Sequence, residues 1–409
     1  MFMGWVFVVN HVLADISPKT SEVSRLNGLV IEVTQRLKDS IITKGVSAEV
    51  VVGGSFARGT FLSGAHDIDF FIRFSDEKGF KLFSSVIMDA FPEARVVKGS
   101  RDYFKVNHGG FELEFIPVLL INDPLEADNS MDASFFHIEY VNARLNDSLR
   151  NEVLLLKQFC KACGVYGAES HVSGFSGYVI ELLVLHFGGF KQVLEFFSKS
   201  KGLVFIDIEG FYDSVSKALT AIKVDQALTP LVVVDPVLAT RNAAAGLSQE
   251  SFDKFVLNAR LFALKPAQSF FKVKPLTVDD LRELAKLRGH PLFIHEFKVK
   301  GKPDVFLAKL GSALRKVKAV LEREDFEVYD FGFLADGTVF FELVSDSLPL
   351  TRRVIGPPVS VELAHFKKFV SKQAVYGPYV LDGRVCFDVE REYTRAKPLL
   401  LKLLRQLRF

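Results

Sequence analysis

Cysteine is scarce. Cys160, Cys163 and Cys386 are the only three in 409 residues, too few for a disulfide framework, and they fit a reducing cytosol. Long hydrophobic runs are missing as well. The apolar opening from Met1 to Val9 is broken by Asn10 and His11. It is too short to span a bilayer and no small-residue cleavage pattern follows, so it reads as a disordered start or a packed edge segment. No other stretch reaches about 18 uninterrupted apolar residues, so a membrane-spanning helix is not expected. Net charge is close to absent at +2. That total decides little, because nucleic-acid binding depends on one basic face rather than a basic sum. What is present is 49% apolar and 24% charged residues, the balance of a folded globular chain. At this length two to four compact units are expected.

Apolar residues recur at helical spacing from Ser21 to Lys44, with Pro18 and Ser21 as start signals. A β-branched strand over Ala48 to Val52, a Gly53-Gly54-Ser55 turn, and strands over Ile68 to Phe74 and Phe111 to Val118 follow. The spacing predicts one sheet around one loop. Between Asn151 and Phe190 the pattern is helical, interrupted from Gly164 to Gly177. A strand over Leu231 to Val234 and a helix beginning near Ser248 or Ser251 mark a small mixed unit. Beyond Pro275 the order is strand (Leu292 to Phe297), helix (Phe306 to Glu324), then strands Glu327 to Phe333 and Thr338 to Val344, a β-α-β-β order that predicts a ferredoxin-like module. Thr394 to Phe409 reads as an amphipathic basic helix.

The chemistry concentrates in Gly54-Ser55-Phe56-Ala57-Arg58-Gly59-Thr60, followed by Asp67-Ile68-Asp69. On a strand, side chains at i and i+2 share a face roughly 6 to 7 Å apart, so Asp67 and Asp69 look into one site. Two such carboxylates call for a cation, and Mg²⁺ takes oxygen ligands from one or two carboxylates plus substrate phosphates. Gly54 and Ser55 let backbone N–H groups approach a triphosphate, and the Ser55 hydroxyl and Arg58 add donors. A third carboxylate completes a two-metal arrangement, and Glu112 and Glu114 both qualify, since alternation puts them on one face. An isolated Asp-x-Asp is more often a solvated strand end, but the Gly-Ser loop before it and the carboxylate strand after it shift the balance to a metal site.

These residues resemble the signature of polymerase-β-type nucleotidyltransferases, and in particular that of archaeal class I CCA-adding enzymes. Further matches are Lys157, Gly164 to Glu169, Gly174 to Tyr178, Glu181-Leu182-Leu183, Val234-Asp235-Pro236-Val237, Arg241-Asn242-x-Ala244-Ala245 and Phe270-Phe271-Lys272, in the family's order from about residue 15 to 375. The resemblance implies an α+β multidomain fold. Its parts are a mixed-sheet nucleotidyltransferase head (1–146), a helical neck (147–190), a small mixed body (191–272), a ferredoxin-like RNA-binding tail (273–374) and a C-terminal body segment with the basic helix (375–409). It implies Mg²⁺-dependent addition of C, C and A from CTP and ATP, without a nucleic-acid template, to tRNA lacking all or part of its 3′ CCA. It also implies a cytoplasmic location and leaves room for a homodimer. Carried over by position, Asp67, Asp69 and Glu114 hold metal. Gly54, Ser55, Arg58, Lys157 and Tyr166 bind triphosphate, His137 lies near the nucleotide, and Arg241 helps read the base. The chain departs from the family in three places: Asp67 and Glu114 stand as first and third carboxylates, His137 aligns only with one residue inserted before Lys157, and the end after Tyr393 is short.

Cys160 and Cys163 resemble half a zinc site, but with no second pair they read as helix packing. His66 points away from Asp67 by alternation and reads as structural. The competing functional readings are an RNA-binding protein on an inactive nucleotidyltransferase scaffold and a polymerase adding one kind of nucleotide, such as poly(A).

Overall fold

The structure is a computed structural model that describes residues 2–64, 67–99, 101–127, 131–370 and 374–408. His66 lies outside the described residues. Two compact units divide at residue 274, Met1–Lys274 and Pro275–Phe409.

In the first unit, strands β1 (Ala48–Val52), β2 (Asp67–Phe74), β3 (Arg95–Val97), β4 (Tyr103–His108) and β5 (Phe111–Leu119) form one sheet in the order β1-β2-β5-β4-β3. The β2–β5 pair is parallel and its neighbours are antiparallel. Alternation sorts the two faces. Ile68, Phe70, Ile72, Phe74, Leu113 and Phe115 are buried against Leu29, Val33 and Leu37 of the helix Thr20–Thr43. The residues between them, Asp67, Asp69, Glu112 and Glu114, therefore emerge on the opposite face.

The rest of this unit is mostly helical. The helix Asp147–Ala162 starts on Asn146, whose side chain accepts the Leu149 N–H at 2.9 Å. The helix Gly177–Phe187 starts on Ser176, which accepts the Val179 N–H; both are N-caps of the usual kind. Phe159, Phe190, Phe197, Phe255 and Phe262 make a dense aromatic core with the helices Phe190–Phe197 and Gln249–Leu264. The apolar opening is a helix, Phe2–Ile16, with Val8 and Val12 buried in that core and Trp5 4.7 Å from the Phe262 ring. It is packed rather than disordered, because its apolar face has a partner. Strands β6 (Val204–Asp207) and β7 (Leu231–Val234) pair in parallel beside it. Cys160 is buried among these aromatics, and burial pushes its thiol up, as packing rather than metal binding requires.

In the second unit β8 (Leu292–Glu296), the helix Pro303–Arg323, β9 (Val328–Phe333) and β10 (Thr338–Leu343) follow the expected β-α-β-β order. The sheet runs β8-β10-β9. The terminal helix Ala396–Gln406 buries Leu399, Leu400 and Leu404 in the same core as Leu310, Leu314 and Val317 of the long helix. β11 (Thr351–Pro358), β12 (Tyr376–Leu381) and β13 (Arg384–Glu390) form a further sheet in which β13 is central. The expected boundary at 374 therefore falls inside a sheet, since β11 on one side of it bonds to β13 on the other. Residues 375–409 belong with 275–374.

Phe159 is fully buried, with the Phe190, Phe255 and Phe262 rings all within 5.9 Å. Phe159→Ala should cost about 3–5 kcal/mol in urea unfolding; a loss below about 1 kcal/mol would show that the aromatic core does not hold the helices together.

Candidate active site

The phosphate-loop region is built against the second aspartate. Gly53 donates its N–H to the Asp69 carbonyl at 2.7 Å, and Thr60 donates to the Ser55 carbonyl at 2.9 Å. Gly54 has φ +62°, and a Cβ there would stand 2.0 Å from Asp69 Oδ2, so only glycine lets the loop and the carboxylate share this space. The parallel register sets Asp67 opposite Glu112 and Asp69 opposite Glu114. Burial, then the charges of Glu114 and Asp67, push the Asp69 carboxyl up to about 6, against the lowering effect of Arg58 and Lys105.

Lys105 on β4 decides how the carboxylates stand. It lies opposite Glu114 across the strand pair, and its ammonium is 2.7 Å from Glu114 Oε1 and also paired with Glu112. Those two bonds raise the Lys105 pKa although burial alone would lower it. Among the described residues no three His, Cys, Asp or Glu side chains are already assembled around an ion position. Glu114 is paired with Lys105. The donors at hand, Asp67, Asp69 and Glu114, are all carboxylate oxygens, and Asp69 is held protonatable first by burial and then by the like charges of Glu114 and Asp67. Both features fit a hard divalent cation.

Beside the loop sits a second carboxylate that the sequence reading gave no role. Glu181, on the helix Gly177–Phe187, has no solvent exposure. Its Oε1 accepts from Thr60 Oγ1 at 2.5 Å and lies 3.5 Å from Lys157 Nζ; its Oε2 is 2.7 Å from Arg58 Nε. The Arg58 N–H is not aimed along that short contact, so the attraction is one of charge rather than an aligned hydrogen bond. Burial raises the Glu181 carboxyl, but Arg58, Lys157 and Thr60 together leave it lowered. Lys157, expected on the triphosphate, is buried. Its ammonium donates to the Thr60 carbonyl at 2.8 Å and to Thr60 Oγ1 at 3.1 Å, and burial brings its pKa down to about 8. It braces the loop from behind. Tyr166 bridges to Phe175, and burial followed by the Glu181 charge pushes its hydroxyl up to about 12. Lys161, one helical turn past Lys157, is exposed. Its ammonium lies 5.3 Å from the Tyr166 ring centre, within electrostatic reach of Asp67.

The other wall is centred on Asp235. His137, from the helix Ser134–Asn142, reaches Asp235 Oδ2 through Nε2 at 3.0 Å, Tyr178 donates its hydroxyl to Oδ1 at 3.1 Å, and Arg241 donates from Nη1 at 2.5 Å. Burial opposes ionisation of Asp235, but the His137 hydrogen bond and the His137 and Arg241 charges bring its pKa down to about 2. The two walls enclose a cleft of about 300 Å³ lined by Gly54, Arg58, Asp69, His137, Tyr178 and Arg241 among others. Ser55, Asp67, Glu114, Lys157 and Tyr166 stand around it rather than in its lining.

Comparison with known proteins gives this arrangement its family. A nucleotidyltransferase domain matches residues 34–132, the second domain of tRNA nucleotidyltransferase matches 151–272, and the C-terminal domain of CCA-adding enzyme matches 288–407. A CCA-adding enzyme of Methanosarcina barkeri is 33% identical over 408 residues, covering 95% of this chain and 87% of its own. The chain belongs to the CCA-adding enzyme family. One from Nanoarchaeum equitans is 33% identical over 324 residues, covering 78% of this chain and 79% of its own. A solved cytoplasmic RNA terminal U-transferase shares the fold at 15% identity, with a TM-score of 0.52 over 68% of this chain and 100% of that one. As in nucleotidyltransferases generally, dependence on a divalent metal follows from membership.

Two outcomes follow from the geometry. Glu181→Ala leaves the Lys157 ammonium buried without its counter-charge and should destabilise by about 3–5 kcal/mol, with most of the loss recovered in Glu181→Ala/Lys157→Met; no recovery in denaturant melts would deny the pairing. Asp69, with its pKa at about 6, must lose a proton to take a cation. The Mn²⁺ concentration for half-saturation should therefore rise up to about tenfold per pH unit below that value and level off above it. A flat dependence between pH 5 and 7 would remove Asp69 from the metal site.

Proposed function

We propose that this chain adds C, C and A to the 3′ end of tRNA from CTP and ATP, with no nucleic-acid template. The observation that carries this reading is the cleft in which the Asp67 and Asp69 strand stands beside the Gly54 to Arg58 loop at one end and Arg241 at the other. The 3′-oxygen of the tRNA attacks the α-phosphorus, its bond to phosphorus forms as the bond to the β-phosphate oxygen breaks, and pyrophosphate leaves. Mg²⁺ held by Asp67, Asp69 and Glu114 would neutralise the triphosphate and favour the ionised 3′-oxygen.

The chain's own residues do the rest. Gly54 and Ser55 offer backbone and hydroxyl donors to the phosphates, and Arg58 meets them with its guanidinium. Lys161 reaches the triphosphate from the exposed face, whereas Lys157 acts through Thr60 and Glu181 to hold the loop. Tyr166 closes that side. At the base end, His137 and Arg241 line the cleft. Cytosine and adenine both pair an exocyclic amine donor with a ring-nitrogen acceptor, where uracil and guanine have the reverse. A fixed guanidinium donor therefore favours the first two, and a wrong base leaves buried groups unpaired. The division into head, neck and body at residues 146, 190 and 272 belongs to the same proposal. So does a cytoplasmic location, to which three free cysteines are suited.

Purified protein with Mg²⁺ and tRNA lacking CCA should extend with CTP and ATP together, by two residues with CTP alone, and not with UTP. Asp67→Ala with Asp69→Ala should abolish extension while tRNA binding persists. Glu114→Ala should cost far more activity than Glu112→Ala. Extension by UTP as readily as by CTP, or repeated addition of A alone, would overturn the reading.

A further inference from the structure

We propose that Asp235 is a positioning residue that sets nucleotide selectivity, by holding Arg241 in one orientation across the base end of the cleft. The inference rests on the reading of Arg241 as the base-facing residue. Asp235 follows the four buried valine and leucine residues of β7 and has no solvent exposure. Its four donors fill it completely. Oδ1 accepts from Tyr178 Oη at 3.1 Å and the Val237 N–H at 3.0 Å, and Oδ2 accepts from His137 Nε2 at 3.0 Å and Arg241 Nη1 at 2.5 Å. A carboxylate offers about four lone-pair sites, so none remains for a nucleotide. Asp235 acts through its neighbours.

Both ends of Arg241 are held. Its carbonyl accepts the Asp235 N–H at 3.0 Å, closing the 235–241 loop. The next residue, Asn242, is pinned by bonds to the Val233 and Ala244 N–H groups and to the Gln226 and Leu231 carbonyls. The side chain is gripped at one Nη and remains about 30% exposed where it lines the cleft. Because a carboxylate only accepts, His137 Nε2 must carry the proton, which presents Nδ1 as the ring's other nitrogen. Tyr178 packs its ring 4.5 Å from that imidazole. One buried charge thus fixes three residues of the cleft wall. A guanidinium so fixed meets the ring-nitrogen acceptor of cytosine or adenine and is opposed by the N–H of uracil or guanine. A guanidinium free to slide reaches the uracil O4 or guanine O6 instead.

The test is the ratio of kcat/KM for CTP to that for UTP on tRNA lacking CCA, in wild type, Asp235→Asn, Tyr178→Phe and Arg241→Ala. Asp235→Asn should lower that ratio by about tenfold or more, with a raised KM for CTP and a gain in UTP use. Tyr178→Phe, which removes one donor and keeps the charge, should lower it by a smaller factor. A fall in both efficiencies by one factor, leaving the ratio unchanged, would mean that Asp235 is only structural and would overturn the proposal. If Asp235→Asn does not fold, an unchanged ratio in Tyr178→Phe overturns it equally. Should Arg241→Ala keep the ratio, the base-facing reading of Arg241 fails. Should Arg241→Ala lose it while Asp235→Asn keeps it, this proposal alone fails.

Discussion

The site depends on one carboxylate that never meets water. Glu181 lies in a helix whose other residues are almost all apolar, Gly177–Phe187, and gathers Thr60, Lys157 and Arg58 around itself. An acid in such a place is costly unless it is fully paired, and here two cations and a hydroxyl pair it. Because those partners come from the loop after β1 and from the helix Asp147–Ala162, the same charge ties the catalytic sheet to the helical core of the first unit. The 2.7 Å ion pair between Arg58 Nε and Glu181 Oε2 directs the arginine. The Arg58 guanidinium therefore lines the cleft already placed.

Tyr178 and Glu181 stand one turn apart on that helix and serve opposite walls. Tyr178 donates to Asp235, which holds His137 and Arg241; Glu181 holds the phosphate loop. The helix therefore sets the spacing between the Arg58 end and the Arg241 end of the cleft. Its N-terminus is set in turn by the Ser176 cap. Geometry at this scale is what orientation in catalysis requires, since misplacement by about 1 Å is expensive.

Much of this was legible in the residues. The strand that carries Asp67 and Asp69, the helix after Pro18 and the β-α-β-β order of the second unit rest on short-range periodicity and stand as expected, whereas Gly54-Ser55, read as a turn, opens the short helix Gly54–Ala57. What could not be read depends on burial and on distant pairing. Lys157 looks the same in sequence whether it faces a triphosphate or Glu181, and only the fold shows it turned inward. Strand β4, which supplies Lys105, was not anticipated, so neither was the clamp on Glu114. β11 is half-buried and β12 mostly exposed, and they carry Gly356, Pro357, Gly377 and Pro378, a composition that reads as loop until β13 pairs them. Two signals were available and unused. Glu181 is a lone acid in an apolar helix, and Asp235 ends a buried strand; buried acids of that kind are rare without partners.

The central claim is that Asp67, Asp69 and Glu114 form one cation site once Lys105 gives up Glu114. The Lys105 ammonium pairs with Glu114 and Glu112 beside the two aspartates, so holding a divalent ion with Glu114 would exchange one cation for another. A crystal structure with Mn²⁺ and a non-hydrolysable CTP analogue, read by anomalous diffraction, tests this directly. The account predicts a manganese peak coordinated by Asp67, Asp69, Glu114 and phosphate oxygens, with Lys105 withdrawn from Glu114. A peak away from the two aspartates, or Glu114 still bound to Lys105 beside an occupied site, would contradict it.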